Sequence, residues 1–329
     1  MKHARRQFLH LAAGAIALPT VSRSAWAQAY PSRPITFVVG FPPGGSADVI
    51  GRIMAERMRA SLGQPVIVEN VAGAGGSIGA GRVARAAADG YTVSTGSMGT
   101  HVLNGALYPL QYDVLNDFEP VSLLVTQPQL ILARKTLPAK DLNQFIGWLK
   151  ANPDKASAGT NGVGGQPHVA GVLFQNMTGT RFQQVPYRGV APAMQDLVAG
   201  QIDMMINLPS DSLPHVRAGS IKAYAVAAKN RLAAAPDIPT VDEAGLSGFY
   251  ISNWFGLWVP KRTPKSVIAT LNSAAVETLA DPSVRSRLAD TGQEIFPRDQ
   301  LTPEALGALQ KADIEKWWPI IKAANIKGE

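Results

Sequence analysis

Three times within about seventy residues the chain runs from a short β-branched stretch through a loop of small residues into a helical pattern. Ile35–Gly40 is the first such stretch and Gln64–Asn70 the second. Tyr91–Thr95 is the third, reached through an Asp89-Gly90 turn. Each opens a loop rich in glycine and serine: Phe41–Ser46, Ala72–Ser77 and Gly96–His101. This spacing is that of βαβ units in a parallel sheet, so the reading is α/β. In open sheets of that kind ligands sit beyond the carboxyl ends of the strands, where all three loops would lie.

The first loop carries the most information. Ile50, Ile53, Met54, Met58 and Leu62 follow it at helical spacing, with Gly63 as the stop. Phe41-Pro42-Pro43-Gly44-Gly45 therefore delivers the chain from a strand end into a helix N-terminus, where unpaired N–H groups and the helix dipole favour an anion. Two adjacent glycines let a ligand approach the main chain. Neither phosphate motif fits, since no Lys follows Gly45 and the glycines are not spaced as G-x-G-x-x-G. The anion is thus read as a carboxylate, against the plainer alternative of a structural turn with Ser46 as N-cap. Asp48 is read as a first-turn capping group in preference to a ligand contact, because its charge matches the dipole.

Downstream, Glu119–Arg134 holds two apolar runs parted by Thr126-Gln127-Pro128-Gln129, a suitable place for a crossing between lobes. Strand, loop and helix then recur. Gly159–Pro167 leads into a helix bearing His168, Tyr187-Arg188-Gly189 into one bearing Met194 and Leu197, and Asp203–Asn207 reads as a further strand. Ile221–Ala228 and Trp254–Val259 read as returning strands. Thr263-Pro264, Asp281-Pro282 and Thr302-Pro303 each place an N-cap before a proline. Pro319 is expected to kink or end the last helix. A second lobe is read over residues 129–226, and residues 28–128 with 227–329 as the first.

The N-terminus stands apart. Arg5-Arg6-Gln7-Phe8-Leu9, an apolar segment too short to span a membrane and Ala25-Trp26-Ala27 together read as an export signal of twin-arginine type, cleaved after Ala27. An ordinary secretory signal is the alternative, with the same destination, the periplasm. Residues 1–27 hold Lys2, Arg5, Arg6 and Arg23 and no acid; without them 27 basic residues face 24 acidic ones, a net charge of +3 in place of +7. No basic run of the nucleic-acid-binding kind remains. The absence of cysteine excludes disulfides, thiolate metal sites and a cysteine nucleophile.

Signs of catalysis are thin. Among His101, His168 and His215 none has a metal-spaced partner, and no G-x-S-x-G elbow occurs. His168 reads equally as a ligand contact and as a cap on its own loop; His101 and His215 read as structural or surface residues. Tyr187-Arg188-Gly189 offers a hydroxyl, a guanidinium and an N–H beside a strand end, and arginine suits carboxylates, although a lone arginine is commonly a solvated surface charge. Trp254, Trp258 and Phe41 read as core or cleft wall.

RPITFVVGFPPGGSADVIGR, PVIVENVAGAGGSIGA, VPYRGVAPAMQDLVAGQID and NWFGLWVPKRTP, in this order, resemble the substrate-binding proteins of tripartite tricarboxylate transporters, the Bug family. The resemblance implies a two-lobe periplasmic binding protein of Venus-flytrap form, each lobe a mainly parallel sheet flanked by helices. It implies a soluble, monomeric, non-enzymatic receptor without cofactor or metal, binding a di- or tricarboxylate, an aromatic acid or an acidic amino acid and serving transmembrane transporter subunits. Ligand contacts carried over from it fall on Phe41, Pro42, Gly44, Gly45 and Ser46, with Gly75, Gly76, Ser97 and Gly99 beside them. In the second lobe they fall on Gly162, Gly164, Gly165, Gln166 and His168, then Tyr187, Arg188, Gly189 and Ala191, with Asp203 added. Family members often carry a hydroxyl residue where this chain has Gly165, so a backbone N–H or a water must serve there and Gln166 is expected to reach a distal polar group. A periplasmic sensor and an exported α/β enzyme stand as the alternatives.

Overall fold

The computed structural model describes residues 30–323 and 325–328, so the stretch read as an export signal lies outside the described residues. The run Ile35–Val39 forms β1, and every one of its apolar side chains is buried. Ile35, Phe37 and Val39 turn to one face and pack on Ile50, Ile53, Met54 and Met58 of α1 (Ser46–Leu62), while Val38 faces Ala80 and Val83 across the sheet. A continuous apolar run with two covered faces is what a central parallel strand requires. Gly63 ends α1 in the left-handed region at φ 64°, the stop anticipated from sequence.

The first lobe continues through β2 (Val66–Asn70), α2 (Ser77–Ala84), β3 (Thr92–Ser97), α3 (Asn104–Leu107) and β4 (Phe118–Pro128). The second holds β5 (Leu130–Arg134), α4 (Leu142–Ala151), β6 (Ser157–Thr160), α5 (Gln166–Thr178) and β7 (Gln183–Pro186). It goes on through α6 (Val190–Ala199), β8 (Met204–Asn207), α7 (Pro209–Arg217) and β9 (Ile221–Val226). The chain then returns through β10 (Ser252–Pro260), α8 (Lys265–Ala280), α9 (Pro282–Asp290), β11 (Glu294–Ile295) and α10 (Pro303–Ala323).

Two sheets result, ordered β11-β4-β10-β3-β1-β2 and β7-β6-β8-β5-β9. Each is mixed where a mainly parallel one was expected. The βαβ strands β2-β1-β3 and β7-β6-β8 pair in parallel, whereas the strands beside the crossings pair antiparallel. The reason is geometric: a chain that leaves one lobe and returns enters each sheet in both directions. The crossings meet at Gln129, whose N–H donates to the Ile251 carbonyl and whose carbonyl accepts from Ala227 N–H.

The second lobe reaches further along the chain than residue 226. Val226 N–H donates to the Pro239 carbonyl and Val241 N–H to the Val226 carbonyl, and Phe249 packs edge-on against Phe174 at 5.5 Å. The segment 228–250 therefore extends the second core, and the return crossing falls at Ile251–Ser252. Pro319 does not stop the last helix, which runs on to Ala323. Asp281 caps α9 as expected, accepting from Ser283 and Val284 N–H. α8 starts one residue later than read, with Pro264 at its N-cap.

The loop after β1 is held by a close backbone approach. A Cβ on Gly40 would stand 2.7 Å from the Gly76 carbonyl oxygen and 2.9 Å from its Cα, both main-chain atoms that cannot turn aside. Gly40→Ala is accordingly expected to cost about 1–3 kcal/mol, as overpacking does, read as a lowered urea midpoint with an unchanged m-value. A midpoint equal to wild type would show that the two loops do not need this approach.

Candidate functional site

The N-termini of α1, α5, α6 and α7 open onto one cleft between the lobes. Each supplies first-turn N–H groups without intrahelical partners and the positive end of a dipole. The α1 end is shaped by Asp48, whose carboxylate accepts from Gly44 N–H at 2.9 Å, from Arg52 at 2.9 Å and from Asn70 at 2.9 Å. The same Asn70 amide also donates to the Phe41 carbonyl at 3.0 Å. Burial alone would raise the Asp48 pKa, but the donors from Arg52, Gly44 and Asn70 outweigh it and hold the group below its ordinary value. Asp48 thus braces the loop ahead of the helix through Gly44, where the sequence reading had it cap the first turn itself. Gly45 is the N-cap residue in extended conformation, and Ser46, which the alternative reading placed there, sits inside the helix with its hydroxyl turned across the cleft.

The lobes touch across this cleft. Tyr108 of the first lobe donates to the Val163 carbonyl of the second at 3.1 Å. The Gln166 amide donates to the Ser252 carbonyl at 2.9 Å and lies 3.7 Å from the Met98 sulfur. Ser46 meets Ser210, and its hydroxyl donates to the Asp211 carboxylate at 3.2 Å. The Asn207 amide lies beside it and donates to the Ser212 hydroxyl. With no cationic partner in this set, burial pushes Asp211 up to about 6 against those donors.

With the lobes in contact, the cleft has a small compartment of about 60 Å³ and a larger one of about 510 Å³. Asn104, Gln129, Asn161, Gln166, Asn207 and Asn253 line the small one, and Asp211 is the only formally charged residue on its wall. Both amide atoms of Gln129 and the carbonyl oxygens of Asn161 and Asn253 are buried without a hydrogen-bond partner. The large compartment is walled by Pro42–Ala47 on one side and Arg188–Pro192 on the other, with Asp211 and His215 at its edge. Arg188 is exposed and is the one permanently charged cation on that wall.

Of the residues singled out from sequence, Phe41, Pro42, Gly44, Gly45, Ser46, Gly75, Ser97, Gly99, Gly164, Gly165, Gln166, Arg188, Gly189 and Ala191 line the cleft. Five do not. Asp203 lies at the opposite end of β8 from the cleft, paired with Arg134 at 2.8 Å and accepting from Ser157 N–H. His168 accepts Gly164 N–H at 2.9 Å on its Nδ1, capping its own loop. Tyr187 turns back to donate to Asp196 at 2.6 Å, and burial with this bond raises its pKa to about 12. Gly76 is buried behind Phe41 and Thr100, and Gly162 stands off both walls. Gln166 faces the small compartment, but its amide donors hold the lobes together.

His101 is a core residue, stacked on Trp258 at 3.8 Å, with burial pushing its pKa down to about 3. His215 reaches the cleft edge, where the sequence placed a structural or surface role. Among the polar cleft residues missing from the sequence reading are the amides Asn104, Gln129, Asn161, Gln195, Asn207 and Asn253, with Tyr108, Ser210 and Asp211. Ser210 and Asp211 ride on α7, a helix that two prolines disguise.

The profile of the tripartite tricarboxylate transporter family receptor (TctC) matches residues 50–326. The chain belongs to this family. A protein of Agrobacterium vitis named for the ttuE–ttuC′ intergenic region is 38% identical over 320 residues, covering 97% of this chain and 92% of its own. The structure of the periplasmic binding protein BugD superposes with a TM-score of 0.85 at 37% identity, covering 91% of this chain and 100% of that one. MatC from Rhodopseudomonas palustris with bound malate superposes with a TM-score of 0.84 at 39% identity, covering 89% and 100%.

The chain is thus a solute-binding receptor of two α/β lobes and not an enzyme. Among its described residues no helix is long and apolar enough to cross a membrane. Because the Asp211 pKa is raised on folding from 3.8 to about 6, its carboxyl favours the folded, closed form below pH 4 and loses that advantage as the pH rises through 6. The stability of wild type relative to Asp211→Asn should therefore increase as the pH falls from 7 to 5, read from paired urea titrations. A difference that stays flat or shrinks over that range would mean that Asp211 is not held buried.

Proposed function

We propose that this receptor is exported to the periplasm, released after Ala27, and captures a small organic carboxylate between its lobes for delivery to a transmembrane transporter. One observation carries the reading: helix N-termini from both lobes open on a single cleft, with Arg188 on its wall. A carboxylate at the first turn of α1 gains charge-assisted bonds from the main chain, and the facing turn of α6 adds its own donors on closure. A guanidinium beside them adds bidentate geometry. Exclusion of water by closure strengthens each of these bonds.

In this reading the ligand favours the closed form by its differential affinity, and the membrane partner recognises occupancy through the closed shape. The family profile supports the transporter role and the malate-bound relative supports a carboxylate as the cargo. Export is supported by the arginine pair and the A-x-A site of the leader.

A thermal-shift screen against aliphatic, hydroxylated, aromatic and amino carboxylates tests the cargo. An acid at a hundred times its Kd should add roughly 2.7 kcal/mol of stability. Arg188→Ala should weaken that acid about tenfold, in keeping with the loss of one charge-assisted contact. Stabilisation by sugars or cations and by no carboxylate would reject the assignment.

A further inference from the structure

Three side-chain contacts at the start of α7 form one chain, and each of them joins one lobe to the other. The Ser46 hydroxyl of the first lobe lies 3.2 Å from the Asp211 carboxylate of the second. The same hydroxyl meets Ser210 of the second lobe at 2.5 Å, and Ser210 lies 3.3 Å from Oε1 of Gln127 on β4 of the first. The Gln127 amide nitrogen donates to the Thr291 carbonyl, which leaves Oε1 toward Ser210 as an acceptor only. Each contact needs one hydrogen. With Asp211 ionised the chain holds two, those of Ser46 and Ser210, so one contact is left as two oxygens without a donor between them. With Asp211 protonated it holds three: Asp211 donates to Ser46, Ser46 to Ser210 and Ser210 to Gln127. The count closes in the neutral form alone.

We infer that Asp211, Ser46, Ser210 and Gln127 form a proton-operated clasp between the lobes, so that this receptor closes more readily, and holds its solute more tightly, as the medium acidifies. Opening parts all three contacts and returns Asp211 to water, where an ionised carboxylate is well solvated and the third hydrogen has no use. The closed form therefore binds the proton more tightly than the open one, and by linkage the proton favours closure. Asp211 lines both compartments of the cleft, so a proton can reach it. The charged and titratable groups that neighbouring elements bring to this part of the cleft are Asp48 of α1, Arg188 ahead of α6 and His215 one turn along α7. Asp48 is held by Gly44, Arg52 and Asn70, and among the described residues no ion pair reaches Asp211. From β4, β8 and β10 come the uncharged amides Gln127, Asn207 and Asn253. The α7 dipole favours ionised Asp211 in the open and closed forms alike and so cancels from the comparison. The rise of the Asp211 pKa to about 6 agrees with the direction that the hydrogen count requires. None of this depends on which solute is carried.

The test is the pH dependence of the distance between the lobes, measured by double electron–electron resonance on the purified protein without solute. The chain has no cysteine, so Ala60→Cys on α1 and Ala199→Cys on α6, both exposed, carry the two spin labels. The ratio of closed to open form should rise about tenfold between pH 8 and pH 5, the factor supplied by a proton bound with a pKa of 3.8 in one form and about 6 in the other. This measurement needs no change at Asp211. Asp211→Asn carries a donor at every pH and should hold a ratio shifted toward the closed form and independent of pH. Asp211→Ser, a second variant should the first fail to fold, should also be independent of pH. His215→Gln should keep the rise. A wild-type ratio that stays constant overturns the inference, as does a rise that persists in Asp211→Asn or Asp211→Ser. Loss of the rise in His215→Gln overturns it too, by moving the proton to the histidine.

Discussion

The first lobe's share of the cleft depends on the Asp48 carboxylate. It is buried inside the first turn of α1 and accepts from Gly44 N–H, Arg52 and Asn70, the last of which also holds the Phe41 carbonyl. These bonds fix both ends of the Pro-Pro-Gly-Gly loop and turn it clear of the helix axis. They also consume the Gly44 donor, so the loop does not present a full row of N–H groups. The part left to a ligand is the first turn beyond Gly45, and it faces the second lobe. The close packing of Gly40 on Gly76 anchors the other side of the loop. A pinned loop is an advantage for recognition, because little ordering remains to be done when the ligand arrives.

Closure is balanced on few contacts. Tyr108 to Val163, Gln166 to Ser252 and Ser46 to Asp211 are side-chain bonds of about 1 kcal/mol each in net effect. Against them stand the unpaired buried amide atoms of Gln129, Asn161 and Asn253 and the burial of Asp211, which outweighs the donors around it. Such a balance lets a ligand move the equilibrium by supplying the missing bonds. The lobe crossing at Gln129 belongs to the same set. Its backbone joins the two crossing strands and the residue lines the cleft, so the crossing point is also a wall of the site.

The architecture was legible because its signals are periodic. β1, the helix after it and the Gly63 stop follow from apolar spacing and one left-handed position, and the Asp281 cap follows from a side chain acting two and three residues away. The site was legible only where a glycine or a strand end announced it. Tyr187 and His168 stand in the right loops, but orientation decides their role, and each spends its polar atom on a local partner. Asp203 precedes the strand that ends at Asn207 and so lies at its far end, a distinction no motif encodes. Gln129 was read only as part of the break between two apolar runs, and Asn253, a single amide ahead of an apolar run, carries no pattern. Asp211 escaped because Pro209 and Pro214 mask the helix that carries it.

The central claim is that donors on the main chain of both lobes hold the ligand's carboxylate. Amide chemical shifts in the deuterated protein test this most directly, with the acid that stabilises it most as the titrant. The account predicts large downfield shifts of the N–H resonances of Gly45 and Ala47 in the first lobe. It predicts the same for Val190 and Ala191 in the second, saturating together at one Kd. Perturbations confined to one lobe, or an unchanged first turn of α1 at saturation, would contradict it.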